Sequence, residues 1–520
     1  MSERADVVVI GGGHNGLVAA TLLARAGLDV LVCEASDTLG GAARTEEAFP
    51  KVPGLRQSTG AYLLGLMPPE LIATLGLDLP VLRRDPHYAL PAPAGSALPS
   101  LLLGGDTAAN AAALEAAFSP ADARADAALQ FELGRLREDL APAWLAEPLT
   151  LEDTAERYIR PGLREVFVNA CRGSVIEYLD RFGFADERLL AMYAITDGIS
   201  GLTAGVDDPG TGHNFLAHNM GRLPGSDGTW MIVRGGMGTV AAALADAARA
   251  AGAQLRTSSP VRAVETSDAS GGYCVTGVDL DRGRIGTAVV LAACDPFRLP
   301  ALVGPALPEE LRERLDRIRR PGVTLKLNLA LREVPRFPAL GGRSTGGATV
   351  HLMPGEDRPL AAVRQMWADV QAGGLPEFPT IEWYLHTTVD PSLQDPAGHH
   401  SSALFVQSVP HVPAGSTWEA ELPGYVAHLL ELCDRFAPGT SANVADTLAL
   451  PPPGIEARFG ITGGHIHHVD NTIAFADRMP YVTGLPGLYA GSAGCHPAGS
   501  VIGAAGHNAA RRILTDLGKG

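Results

Sequence analysis

The run ADVVVIGGGHNGLVAATLLARAGLDVLVCEA, Ala5 to Ala35, constrains the fold more than any other part of this 520-residue chain. Val7 to Ile10 is a β-branched strand pattern. Gly11, Gly13 and Gly16 follow as G-x-G-x-x-G, and an apolar helix pattern runs from Leu17 to Ala26. Gly27 closes that helix, and a second strand ends at Glu34. Strand, glycine turn, helix, strand and terminal acid together predict a dinucleotide-binding βαβ unit. Gly11 permits the tight turn, Gly13 lets the backbone approach a pyrophosphate, and Gly16 lets helix and strand pack closely. The helix N-terminus offers unpaired N–H groups to phosphate. Glu34 is placed to accept hydrogen bonds from a ribose diol.

The next segment, DTLGGAARTEE, favours FAD over NAD. Gly40 and Gly41 come directly after the second strand, and Arg44 can present a forked guanidinium to a phosphate. A simple NAD domain has no use for this second glycine-arginine loop. Only one such βαβ fingerprint occurs, so a separate NAD(P) domain is not expected.

The totals exclude several classes. A net charge of −16 argues against a nucleic-acid partner. Hydrophobic content of 46% with 19% charged residues describes a soluble globular protein. Apolar runs such as VVVI and VVLAA are too short to span a bilayer. With no secretory pattern before the first strand, the expected location is cytoplasmic. The six cysteines form neither CxxC nor CxxxxC, so no disulfide framework, zinc site or disulfide-reductase centre is expected.

Four segments extend the reading to a family. GGGHNGLVAATLLARAG with LGGAARTE, the GGMG segment at Gly235, Gly236, Met237 and Gly238, GITGGHIHHVD (Gly460 to Asp470), and PGLYAGSAGCHPAGSVIGAAGHNAA (Pro486 to Ala510) resemble the phytoene desaturase and retinol saturase flavoprotein superfamily. The resemblance is nearest to the bacterial relatives of pyridine nucleotide-disulfide oxidoreductase domain-containing protein 2. Ala498 or Ser500 stands where that superfamily usually has another glycine, and Cys495 is not its usual residue. The resemblance implies an α/β fold, with a Rossmann-like FAD domain of the glutathione-reductase type and an inserted substrate domain of mixed sheet and helices. The FAD domain is expected to be discontinuous, over 1–75, 225–300 and 476–520. The substrate domain takes 76–224 and 301–475, with a helical region over about 120–200. By the same resemblance the backbone at Val261 meets the adenine, and Gly491, Ser492, Val501 and Ile502 lie against the cofactor. The last helix, starting near Val501, would turn its N-terminus to the flavin ring or ribityl chain.

Candidates for the chemistry come from the later segments. In VTLKLNLALREV, alternation puts Leu325, Leu327 and Leu329 on one face and Thr324, Lys326 and Asn328 on the other. Some flavin amine oxidases hold a lysine near the flavin through a water, which the resemblance allows for Lys326; a lysine at a sheet edge or interface is the alternative. His496 falls in the loop expected beside the flavin, as a donor to substrate or cofactor or as a loop-fixing residue. His468, in the family's late glycine and histidine loop, is a candidate to line the pocket; His218 matches a family histidine and is either a pocket residue or a hydrogen-bonded core histidine, the second being favoured. A metal site at His465, His467 and His468 is not expected, because a strand would split adjacent histidines between faces. Trp383 and Tyr384 offer aromatic walls, or ordinary core packing.

The function expected is an FAD-dependent oxidoreductase, a dehydrogenase, desaturase or oxidase that takes a hydride from a largely apolar small organic substrate. The alternatives are a redox-neutral flavin-dependent polyene isomerase and a non-catalytic FAD-binding scaffold. The electron acceptor stays open, as do peripheral membrane contact and homo-oligomerisation.

Overall fold

The structure is a computed structural model that describes residues 3–226, 228–269 and 272–519. Val7–Ile10, buried on all four residues, leads into the helix His14–Arg25 and then the buried strand Val30–Cys33. These pair in parallel with Gln254–Arg256, Val289–Ala292 and Leu488–Ala490. In space the order is Gln254–Arg256, Val30–Cys33, Val7–Ile10, Val289–Ala292, Leu488–Ala490. Numbered along the chain this is 3-2-1-4-5, the doubly wound order, whose ligand crevice lies beyond the carboxyl ends of the strands. A sheet helix-covered on both faces needs continuous apolar strands, and VVVI, VLVC and VVLA meet that demand. A smaller sheet of Glu3–Arg4, Gly283–Gly286, Gly272–Leu280 and Val261–Ala269 lies beside it.

The second large sheet has seven strands, ordered Val444–Leu450, Thr324–Leu331, His400–Gln407, Thr380–Leu385, Thr349–Leu352, Tyr88–Leu90, Leu101–Leu103. All its pairings are antiparallel except Tyr88–Leu90 with Thr349–Leu352. Leu325, Leu327, Leu329 and Trp383 join one core cluster on one face, under the helix Trp418–Phe436. Thr324, Lys326, Glu382 and Tyr384 point the other way. Helices Thr107–Ala117, Pro120–Trp144, Leu151–Tyr158, Arg164–Arg172, Val175–Asp180, Glu187–Tyr193 and Thr211–His218 form a helical layer with its own core.

The last helix, Ala504–Asp516, begins three residues later than the sequence suggests. Gly503 caps it at φ +80°, a left-handed conformation suited to glycine. It packs on the first helix through Gly506, where an added Cβ would sit 2.0 Å from Asn15 O. No helix among the described residues is long and apolar enough to cross a membrane.

Candidate active site

A cavity of about 1120 Å³ runs from the glycine turn of the parallel sheet to the polar face of the seven-stranded sheet and the helical layer. At its first end the turn is shaped as the fingerprint requires. Gly11 sits at φ +104°, a conformation that side chains rarely adopt. An added Cβ on Gly16 would lie 2.1 Å from Gly11 O and 3.2 Å from Ala293 Cβ, so Gly16 is the close-packing glycine. At Gly13 an added Cβ meets nothing within 4 Å. Gly40 N–H donates to Gly12 O at 2.8 Å, which brings the second glycine loop beside the first.

Glu34 lines this end. Its Oε2 accepts from Gly12 N–H at 2.7 Å and its Oε1 from Ser36 N–H at 2.8 Å, so the carboxylate is fixed in place by backbone. Arg44 donates through Nε to Gly41 O at 2.8 Å and lies 5.2 Å from the centre of the Phe459 ring. Val261 also lines the cavity, as do Gly11, Gly13, Gly40, Gly41 and Arg44. His14 opens the first helix and lines the cavity, and its Nε2 is buried without a hydrogen-bond partner. Burial lowers its pKa to about 4, so the ring is neutral at pH 7.

Lys326 forms part of the floor. Its Nζ donates to Ser58 O at 3.0 Å and to Gly60 O, and sits 3.8 Å from the centre of the Tyr62 ring. Burial pushes its pKa well below the usual lysine value. His468 reaches the cavity from a φ +60° backbone, its Nδ1 3.5 Å from Asp295 Oδ2. His218 lines it too, 3.7 Å from Asp197 and beside Trp230.

The late loop contributes less lining than its glycines suggest. Val501 faces the cavity together with Ala493 and Ser500; Gly491, Ser492 and Ile502 do not. Gly491 packs against Ala509 and Leu291, Ser492 Oγ accepts from Gly494 N–H at 3.2 Å, and Ile502 enters the helical core. His496 does not line the cavity either. Its Nε2 donates to Ala143 O at 2.9 Å, and its ring lies against Phe475. It ties the loop to the C-terminal end of helix Pro120–Trp144, the loop-fixing alternative. The three late histidines occupy turns rather than a strand. His465 meets Asp470 at 3.0 Å, and His467 lies between Ser200 O and Gly499 O, each at 2.9 Å. Among the described residues no metal-holding group of histidine, cysteine, aspartate and glutamate side chains forms.

The sequence reading missed Arg84 and Glu382. Trp383 is core, donating to Ser402 Oγ at 2.8 Å, while Tyr384 lines the cavity; a strand's period of two therefore puts Glu382 on the cavity face with Tyr384. Register aligns Lys326, Phe405, Glu382 and His351 across the sheet. Glu382 accepts from Gln407 Nε2 at 2.8 Å and from Tyr384 OH. Burial raises its pKa to about 8. The folded state thus holds a proton that the unfolded chain gives up near pH 4.3. Stability from this group is full below that value and is lost as pH rises toward 8. Glu382→Gln should become more stable than wild type as pH rises, by on the order of 1 kcal/mol per pH unit between about 5 and 8. Urea midpoints at four pH values would show this, and a pH-independent difference would refute it.

The parallel sheet, its glycine turn and the long cavity shared with a second sheet define a flavin-dependent oxidoreductase. The chain belongs to the family of flavin containing amine oxidoreductases, whose pattern matches residues 16–369. It is 32% identical to pyridine nucleotide-disulfide oxidoreductase domain-containing protein 2 of Mus musculus, over 99% of this chain and 94% of that protein. It is 25% identical to one of the chains of limonene dehydrogenase from Castellaniella defragrans, over 100% of this chain and 96% of that one. The crystal structure of an oxidoreductase from Methanosarcina mazei superposes with a TM-score of 0.62 at 18% identity, covering 98% of this chain and 99% of that one. The α/β fold with a Rossmann-like sheet and an added mixed sheet is shared with such structures.

Proposed function

We propose that this oxidoreductase binds FAD along the glycine turn and dehydrogenates a largely apolar small organic substrate in the inner chamber. The observation that carries the proposal is the continuity of one cavity, from Gly13 and Glu34 at one end to Leu63, Leu114, Met192 and Phe405 at the other. The residues fit the cofactor. Gly13 leaves open space where a pyrophosphate would pass, Glu34 is fixed by backbone where a ribose would bind, Arg44 is held beside Gly41, and His14 Nε2 lacks a partner among the described residues. Gly16 supports this cradle through packing. When bound, FAD supplies the hydride acceptor. The likeness to limonene dehydrogenase, by name a protein that acts on a hydrocarbon, supports an apolar substrate.

The chain's own residues then have separate tasks. The apolar wall excludes water and presents a C–H bond toward the flavin end. Lys326, its pKa lowered by burial and its position fixed by Ser58 and Gly60, is placed to hold a water or accept a proton at Nζ. Lys326→Met should keep its flavin and slow anaerobic flavin reduction by about 100-fold. An unchanged reduction rate would leave Lys326 a packing residue.

The test of the whole reading is the visible spectrum of the purified protein, repeated without oxygen against amines, alcohols, terpenes and polyenes. Bleaching by one compound identifies the substrate class. Flavin that no compound bleaches would favour the isomerase or scaffold alternatives, and a protein that cannot take up flavin would refute the proposal.

A further inference from the structure

Among the described residues, one cation of the inner chamber has no ion-pair partner. Arg84 is only 4% exposed, yet it lines the cavity. Its Nε donates to Trp230 O at 2.6 Å, and its Nη1 to Thr349 Oγ1 at 2.9 Å and Gly347 O at 3.3 Å. These neutral acceptors aim the guanidinium without neutralising it. Among the described residues Nη2 has no hydrogen-bond partner, and Arg84 forms no ion pair. The guanidinium as a whole is buried while Arg84 lines the cavity, so a charge-assisted hydrogen bond to an anion there gains from the low dielectric around it.

The surroundings define that anion. Glu382 and Tyr384 act electrostatically on Arg84, and so does Tyr62. The Glu382 oxygens are engaged by Gln407 and Tyr384. Of the acidic groups on the helical wall, Asp126 is engaged by Tyr193 and Gln130, and Asp197 lies against His218. An ammonium head at this position would meet the Arg84 guanidinium, a like charge. A dianion such as a phosphate would carry a second charge with one guanidinium to answer it. A single carboxylate matches the one open nitrogen, Nη2, through charge-assisted hydrogen bonding.

We infer that Arg84, flanked by Glu382 and Tyr384, anchors the carboxylate head group of an otherwise apolar substrate. The inference rests on the flavin reading for the orientation of the chamber, and it deepens that reading by naming a substrate class. Leu63, Met192 and Phe405 line the same cavity and would cover the apolar portion. Arg84 is a specificity residue here.

The test titrates the flavin-loaded protein with decanoate, decan-1-ol and decylamine, which share one chain and differ in the head group. Binding is read by calorimetry and by shifts in the flavin spectrum. Decanoate should bind about 30-fold tighter than decan-1-ol, the range of a charge-assisted hydrogen bond in a dry site. Arg84→Gln should remove that preference, and Arg84→Lys should keep part of it. Equal binding of decanoate and decan-1-ol, tighter binding of decylamine, or an intact preference in Arg84→Gln would overturn the inference. If Arg84→Gln does not fold, the wild-type comparison of the three ligands still decides. Arg84-dependent decanoate binding to a protein that takes up no flavin would keep the anchor and reject the flavin reading.

Discussion

Gly13→Asp is expected to yield a folded protein that has lost its flavin. Gly13 has φ −72° and ψ 174°, a conformation open to any residue, and an added Cβ would meet nothing within 4 Å. The apo fold therefore has no steric reason to reject the substitution. Aspartate is also a favoured residue at the N-cap position that Gly13 occupies. The new carboxylate would instead stand where the proposed pyrophosphate passes. Two unit charges about 4 Å apart repel by about 4 kcal/mol at an effective dielectric of 20, roughly a thousandfold in affinity. The absorbance ratio of flavin to protein, with circular dichroism as the folding control, measures the effect. A folded variant with full flavin content would move the cofactor away from this turn.

Arg478→Leu is expected to be the most destabilising single change in the late loops. Arg478 is fully buried and ties two loops together. Its Nε donates to Cys495 O at 3.0 Å. Nη1 donates to Ile473 O at 2.9 Å, Asn471 Oδ1 at 3.1 Å and Asp470 O at 3.2 Å. Nη2 donates to Val469 O at 3.0 Å and Ala493 O at 3.1 Å. Leucine would leave those acceptors dry, at about 1–3 kcal/mol for each one that water cannot reach. A loss of about 4 kcal/mol or more follows, beyond the usual range for point changes. Lysine, with three donors on one nitrogen, should recover only part of it. Urea unfolding measures the loss, and a change below about 1 kcal/mol would reject the account. Because His468 and Val501 flank these loops, the variant should also hold flavin more weakly.

Some of this was legible in the residues and some was not, for reasons that differ by element. The N-terminal βαβ unit could be read because its parts are neighbours in the chain. Gly11, Gly16 and Glu34 meet through one turn and one parallel pairing, so local spacing carries the geometry. The face of Lys326 was legible for the same reason, since a strand's period of two separates it from Leu325 and Leu327. His496 illustrates the opposite case. Its loop was recognised, but its partner is Ala143 O, 353 residues earlier in the chain. Nothing local says whether such a ring turns to a cavity or to a helix end.

The sequence by itself determined the parallel sheet, its glycine turn and the alternating faces of the strands, because backbone conformation and hydrophobic periodicity act over a few residues. Only the tertiary structure decided what the inner chamber contains. Arg84, in the unremarkable run LRRDP, becomes a buried cation because Trp230, Gly347 and Thr349 converge on it from distant segments. Glu382 becomes a carboxyl that keeps its proton to about pH 8 because the sheet and helices around it exclude water. Burial and charge balance are sums over everything packed nearby, and those neighbours are brought together only when the chain folds.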